Sequence, residues 1–249
     1  MKVFDSHIHL DEIGEANAPE AETYRALVPG IEPEKTCQNM GDMARRGHVI
    51  SIGLHPWYVG EEEPEGERWD RVKEIASGPE VLAIGETGLD KYKHKGAVMR
   101  GRARRWFEAH ARLADSLKKP LVVHCVKAHG ECLEILGRIQ PEAGGIIHAF
   151  SGSLEVMKDY ERLGFGVGIG VAVTRERSKR AREAASKVPA CQLFLETDAP
   201  FMSINGRASG NARDILQVLE VVAELRGVEK EEIAEQTWQN ARVMFGFQD

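Results

Sequence analysis

Short β-branched runs recur along the chain, each followed by a longer segment with apolar residues at helical spacing. The runs Lys2–Asp5, Tyr24–Val28, His48–Gly53, Val81–Gly85, Pro120–His124, Gly145–His148, Phe165–Ile169 and Gln192–Glu196 have the length and residue types of strands. Helical spacing marks Arg68–Ser77, Ala97–Lys118, Gly130–Gly137, Leu154–Leu163 and Glu176–Lys187, then Ala212–Arg226 and Lys230–Met244 after the last strand. Strands alternating with helices imply right-handed βαβ units and a parallel sheet. Eight strands that use both ends of the chain predict an α/β fold of the (β/α)8 TIM-barrel type, with an open doubly wound sheet as the alternative. The first connection, Leu10–Thr23, is weakly periodic and is expected to be a loop with about one helical turn, a shortened βα connection. Glu61–Gly66 is acidic, carries Pro and Gly, and reads as an exposed loop.

The bulk numbers narrow this without changing it. A barrel needs about 250 residues, and 249 residues with no linker, repeat or low-complexity segment fit one domain spanning 1–249. Hydrophobic residues make up 42% and charged residues 29%, enough for a substantial core. No apolar run reaches the ~18 residues of a membrane span. Lys2 leads into a strand and two histidines, so no signal peptide is expected. Cys37, Cys125, Cys132 and Cys191 form no CxxC pair; they read as reduced thiols of a cytoplasmic protein and exclude a zinc ribbon. A net charge of −6 argues against a protein that coats nucleic acid, while leaving room for an enzyme that grips one phosphate at a time. Nothing marks a stable protein partner.

The chemistry lies where the strands run out. His7 and His9 close the first strand, His55 follows the third, Glu86 ends the fourth, His124 the fifth and His148 the sixth, and Asp198 follows the eighth. In a barrel those ends converge on one face, and positions i and i+2 of an extended segment share a side, so His7 and His9 can reach one cation. This nitrogen and oxygen set suits Zn, Mn, Fe or Co, and Mg less comfortably. Two divalent metal ions sharing a carboxylate, with Glu86 as the bridge, use all six of His7, His9, Glu86, His124, His148 and Asp198. Metal pairs of this kind lie ~3.5–4 Å apart and activate water. A single strand-end histidine is more often structural, and His55 alone stays evenly balanced. His48, His94, His110 and His129 are expected to be structural or on the surface.

Several segments resemble a known family. Phe4-Asp5-Ser6-His7-Ile8-His9-Leu10-Asp11, Gly53-Leu54-His55-Pro56, Ile84-Gly85-Glu86-Thr87-Gly88-Leu89-Asp90, His148-Ala149-Phe150-Ser151-Gly152-Ser153 and Leu195-Glu196-Thr197-Asp198-Ala199-Pro200 are similar to the successive signatures of the TatD family of metal-dependent hydrolases, within the amidohydrolase-like barrels. The resemblance runs on to Asn240-Ala241-Arg242-Val243-Met244-Phe245. It implies a two-metal (β/α)8 barrel with the same six ligands and a deoxyribonuclease activity, with D-aminoacyl-tRNA deacylases among the relatives. Three departures stand out. The first connection is short; Val126, followed by Lys127, stands where the family commonly has Arg two residues past the histidine; and Arg100, Arg104 and His110 lie in a helix that usually carries Gln.

The expected reaction is hydrolysis by a water whose pKa the metals lower from ~15.7 toward ~7. Asp198 is the candidate general base. Glu196 is the partner expected behind a ligand histidine, and His55 a hold on the substrate oxyanion. Lys127 and Arg207 are candidate phosphate contacts. Lys91, Lys93, Lys95, Arg100, Arg102, Arg104 and Arg105 form a basic stretch that favours DNA or another phosphate-bearing substrate, with a solvated helix face as the equal alternative for Arg102–Arg105. Trp57 and Tyr58 are candidates to stack on a base or sugar. The run Gly164-Phe165-Gly166-Val167-Gly168-Ile169-Gly170 alternates along a strand and is expected to clear space for neighbouring side chains rather than to bind phosphate. The rivals are an amide, ester or lactone hydrolase and, below it, a non-catalytic binding protein.

Overall fold

The computed structural model of the protein describes residues 1–14, 19, 24–33, 40–204 and 206–247. Its strands are β1 (Val3–Asp5), β2 (Tyr24–Val28), β3 (Val49–Ile52), β4 (Val81–Asp90), β5 (Leu121–Val126), β6 (Gly145–Ile147), β7 (Phe165–Ile169) and β8 (Leu193–Leu195). The helices are α1 (Leu10–Ile13), α2 (Met40–Arg45), α3 (Glu67–Ala76), α4 (Ala97–Leu117), α5 (His129–Ile139), α6 (Leu154–Arg162), α7 (Lys179–Lys187), α8 (Asp214–Arg226) and α9 (Lys230–Phe245). In the sheet the strands follow in chain order from β1 to β8, and every pairing resolved between neighbours is parallel. Ser6 N donates to Leu195 O at 2.8 Å, so the chain continuing from β1 bonds the end of β8. This is the (β/α)8 class.

The chain divides into two compact units: Met1–Val28 with His148–Glu161 and Gly166–Asp249, and Pro29–Ile147 with Arg162–Phe165. In the first, Phe4 of β1 stacks between Phe245 and Phe247, at 5.8 and 5.4 Å. Asn240 of α9 donates to the carbonyls of Ala190 and Leu193, which ties the helix to β8. In the second, α4 buries Ala103, Trp106, Phe107, His110, Ala111 and Ala114, a stripe at spacings of three and four. His110 fits there as a neutral ring: Nδ1 donates to Trp106 O at 2.7 Å, and Nε2 accepts from Leu54 N at 3.1 Å. Burial pushes its pKa down to about 4.

Three expectations need revision. α2 is unforeseen in the sequence; it buries none of its residues, so it has no apolar stripe to read. β4 extends to Asp90, past a register shift between Ile84 and Thr87 against β5, so Glu86 lies within a strand rather than at its end. The basic stretch is largely paired. Arg105 makes two bonds to Glu63 at 2.5 and 2.6 Å, Arg104 meets Glu134 at 2.7 Å, and Lys91 meets Glu131 at 3.1 Å. The acidic loop thus lies on α4, where Trp106 Nε1 also donates to Glu62 O. α1 supplies the single turn expected in the first connection; residues 15–18 and 20–23 of that connection, and Cys37, lie outside the described residues.

Candidate metal centre

In the first unit, the segment after β1 keeps pairing with the segment after β8. Asp198 N donates to His7 O and His9 N to Ala199 O, each at 2.9 Å, while Ile8 N donates to Leu27 O at 3.1 Å. This ladder brings Asp198 beside His7 and His9, and the three offer ligand atoms within 4.8 Å of one another. Asp198 has φ +52°, a left-handed conformation that aspartate tolerates better than most residues. Its carboxylate oxygens stand 3.7 Å from His9 Nε2 and 3.8 Å from His148 Nε2. Those gaps exceed a hydrogen bond and approach the roughly 3.4 Å edge of a tetrahedron with bonds of about 2.1 Å. His148 also stacks on His7 with ring centres 3.6 Å apart. The imidazole and carboxylate donors fit a divalent cation of borderline hardness.

Two buried carboxylates stand behind this group. Glu196 Oε1 lies 3.0 Å from His148 Nδ1 and accepts from Ala149 N at 2.7 Å. A carboxylate there would hold a histidine with Nε2 turned toward a bound cation. Room for it comes from the glycine run, since a Cβ on Gly168 would stand 2.0 Å from Glu196 Oε2. Asp5 accepts from His7 N at 3.2 Å, Thr197 N at 3.0 Å and Thr197 Oγ1 at 2.7 Å, stapling the two paired segments together. Burial lifts its pKa to about 7 against those hydrogen bonds.

The second unit holds the other group. Glu86, on the bulge of β4, places Oε1 2.8 Å from His124 Nδ1 and 3.4 Å from His55 Nε2. The two imidazoles meet at 3.1 Å, and all three residues offer ligand atoms within 4.8 Å. A bulge re-aims a side chain beside a site, and Gly88 lets β4 run close to β5, since a Cβ there would stand 2.0 Å from His124 O. His55 Nδ1 accepts from Trp57 N at 3.1 Å, which assigns the neutral ring's proton to Nε2 and makes that atom a donor. Asp90 lies behind His124, its Oδ2 3.4 Å from Nε2. Burial opposes charge on His124, but Asp90 and Glu86 outweigh it and raise the pKa to about 9. Burial likewise opposes charge on Asp90, and its bonds from His124 and Trp57 hold the carboxyl well below the usual range.

The remaining candidates are placed as follows. Lys127, at φ +52° just past β5, lies over the ring of Tyr92 at 4.3 Å. Arg207 is paired with Asp214, so its charge is already offset. His48 and His94 are buried, and His129 Nδ1 lies 3.2 Å from Cys125 Sγ. Asp5, Thr197 and Asp90 are roles the sequence reading lacked, although each stood inside a quoted motif. Phe201, 60% exposed with its ring edge-on to His9 at 4.8 Å, was also missed. No described helix is long and apolar enough to cross a membrane.

Comparison with known proteins agrees with these features. The family model described as "TatD related DNase" matches residues 4–246. An uncharacterized metal-dependent hydrolase of Haemophilus influenzae is 30% identical across 98% of this chain and 100% of its own length. A protein of Erwinia billingiae named 3'-5' ssDNA/RNA exonuclease TatD is 33% identical across 88% of this chain and 86% of its own. Among solved structures, the TatD homologue YjjV of Escherichia coli superposes with a TM-score of 0.88 at 26% identity, covering 99% of this chain and 98% of that one. The chain belongs to the TatD-related DNase family and is a metal-dependent hydrolase.

Proposed function

We propose that this hydrolase cleaves phosphodiester bonds in single-stranded nucleic acid, DNA first, with two divalent cations held by His7, His9, Glu86, His124, His148 and Asp198. The supporting observation is the pair of histidine–carboxylate groups, one around Asp198 and one around Glu86, in a chain similar to an ssDNA/RNA exonuclease. Zinc and manganese match these donors best. When bound, such cations act as Lewis acids and make hydroxide available near neutral pH. Asp198 takes the proton of the attacking water and later passes it to the leaving oxygen. His55 donates from Nε2 to the oxyanion, Glu196 and Asp90 hold His148 and His124 in orientation, and Lys127 leaves its ring contact for a phosphate. The whole chain acts as one barrel domain. Cys125, Cys132 and Cys191 are thiols, which fits the reducing cytoplasm.

The test is metal analysis followed by incubation of a labelled single-stranded oligodeoxyribonucleotide with Mg, Mn or Zn. Progressive shortening from one end supports the reading. DNA left intact with all three metals, alongside cleavage of an ester, amide or aminoacyl-tRNA, sinks it.

A further inference from the structure

Beside the Glu86–His124 group, two large aromatic side chains face solvent: Trp57 is 54% exposed and Tyr92 60%. Neither is loose. Trp57 Nε1 donates to Asp90 Oδ2 at 2.7 Å, which fixes the plane of the indole. Asp90 Oδ1 accepts from Tyr92 N at 2.8 Å and Lys93 N at 3.1 Å, which fixes the turn that carries Tyr92. Asp90 itself is buried at 4% exposure. A cation lies over each ring, Lys93 Nζ 5.5 Å from the Trp57 ring centre and Lys127 Nζ 4.3 Å from that of Tyr92. Exposed aromatic rings gain little from burial, so locking them in place serves an incoming partner by removing the entropy cost of ordering them. Flat faces paired with mobile ammonium groups match nucleobases strung on phosphates, and cation–π contacts at exposed sites are weak enough for phosphates to displace.

We infer that Trp57 and Tyr92 form a stacking platform for the bases of a single strand, with Lys93 and Lys127 releasing their rings to clamp its phosphates. This rests on the phosphodiesterase reading above and adds to it the means by which the strand is gripped. Asp90 is the positioning residue: one carboxylate sets the platform, and the same oxygen that holds Trp57 faces His124 Nε2. Because every base has a π-face, the platform favours single strands over duplexes without reading sequence.

The decisive measurement is binding to the full chain in EDTA, where cleavage is off. The probes are a fluorescent oligothymidylate and an abasic deoxyribose-phosphate oligomer of equal length. The oligothymidylate should bind roughly tenfold tighter. Trp57→Ala and Tyr92→Ala should each bring the two probes to within about twofold, while Trp57→Phe keeps a severalfold preference, which separates loss of stacking from loss of fold. Lys93→Ala and Lys127→Ala should weaken both probes and each lower the slope of log affinity against log salt by about 0.7. Equal binding of the two probes by the unaltered protein, or an undiminished preference in Trp57→Ala, overturns the platform. If the preference stands but no phosphodiester is cleaved with added metal, the hydrolytic reading fails and the platform survives; cleavage without preference shows the reverse.

Discussion

The carboxylates behind the two histidine groups have the same task and opposite surroundings. Glu196 is fully buried, in a space kept open by Gly168, bonded to Ala149 N and facing His148. Asp90 is also buried, yet its partners lead outward to Trp57 and to the turn at Tyr92 and Lys93. Insulation suits a residue that must only keep an imidazole in place. Connection to solvent suits one that must also register what has arrived there. The two groups are thus alike in donors and different in what a perturbation should reach.

The largest expected effect falls on the first group. Asp198→Asn should cut kcat by roughly 1,000-fold while metal analysis still finds bound cation; substantial turnover in that variant would remove Asp198 as the base. Next comes the acid sensitivity that His110 contributes. An unfolded chain protonates His110 near pH 6.5, whereas the folded ring resists until about 4. The unfolded state therefore binds more protons between these values. His110's contribution to stability is complete above pH 6.5 and falls by about 3 kcal/mol as pH drops toward 4, while Asp5, with its pKa raised to about 7, contributes the opposite trend as pH falls below that value. In urea unfolding from pH 7.5 to 4.5, His110→Gln should lose less stability on acidification than the unaltered protein, the gap between the two losses growing toward pH 4.5; equal losses would place the acid sensitivity elsewhere.

The contrast between Glu196 and Asp90 is tested more directly by amidation of each. Glu196→Gln should weaken metal binding roughly 10- to 100-fold and leave KM for a single strand nearly untouched at saturating metal. Asp90→Asn should weaken metal binding similarly and raise KM as well, because the indole and the turn lose their anchor. Matching KM values would mean that the outward connections carry nothing. The smallest effect is expected on α4. Arg104→Ala with Arg105→Ala should change KM for nucleic acid by less than about twofold, since both side chains already pair with glutamates.

What could be read from sequence followed the strength of local signals. β-branched runs closed by His, or followed closely by Asp, marked the strands and the side chains that the fold gathers, and alternating glycines marked a strand making room for larger neighbours. Glu86 was singled out by type but placed at a strand end, because the bulge breaks the two-residue period that defines a strand. The short α2 buries nothing and left no pattern. The neutralisation of Arg105 was invisible for another reason: its partner Glu63 is 42 residues away, and only the fold joins them. Asp90 was quoted within its motif but had no role until the chain folded Trp57 and His124 onto one carboxylate.

Gly168 and Glu196 also constrain how this chain can diverge. With a Cβ on Gly168 falling 2.0 Å from the glutamate oxygen, an alanine there displaces the carboxylate from its place beside Ala149 N and His148. An alanine survives only where the acid has shortened, and a restored glutamate requires the glycine back. Descendants that keep the glutamate should keep the glycine, while Trp57, Tyr92 and the lysines beside them vary with the strands each descendant meets.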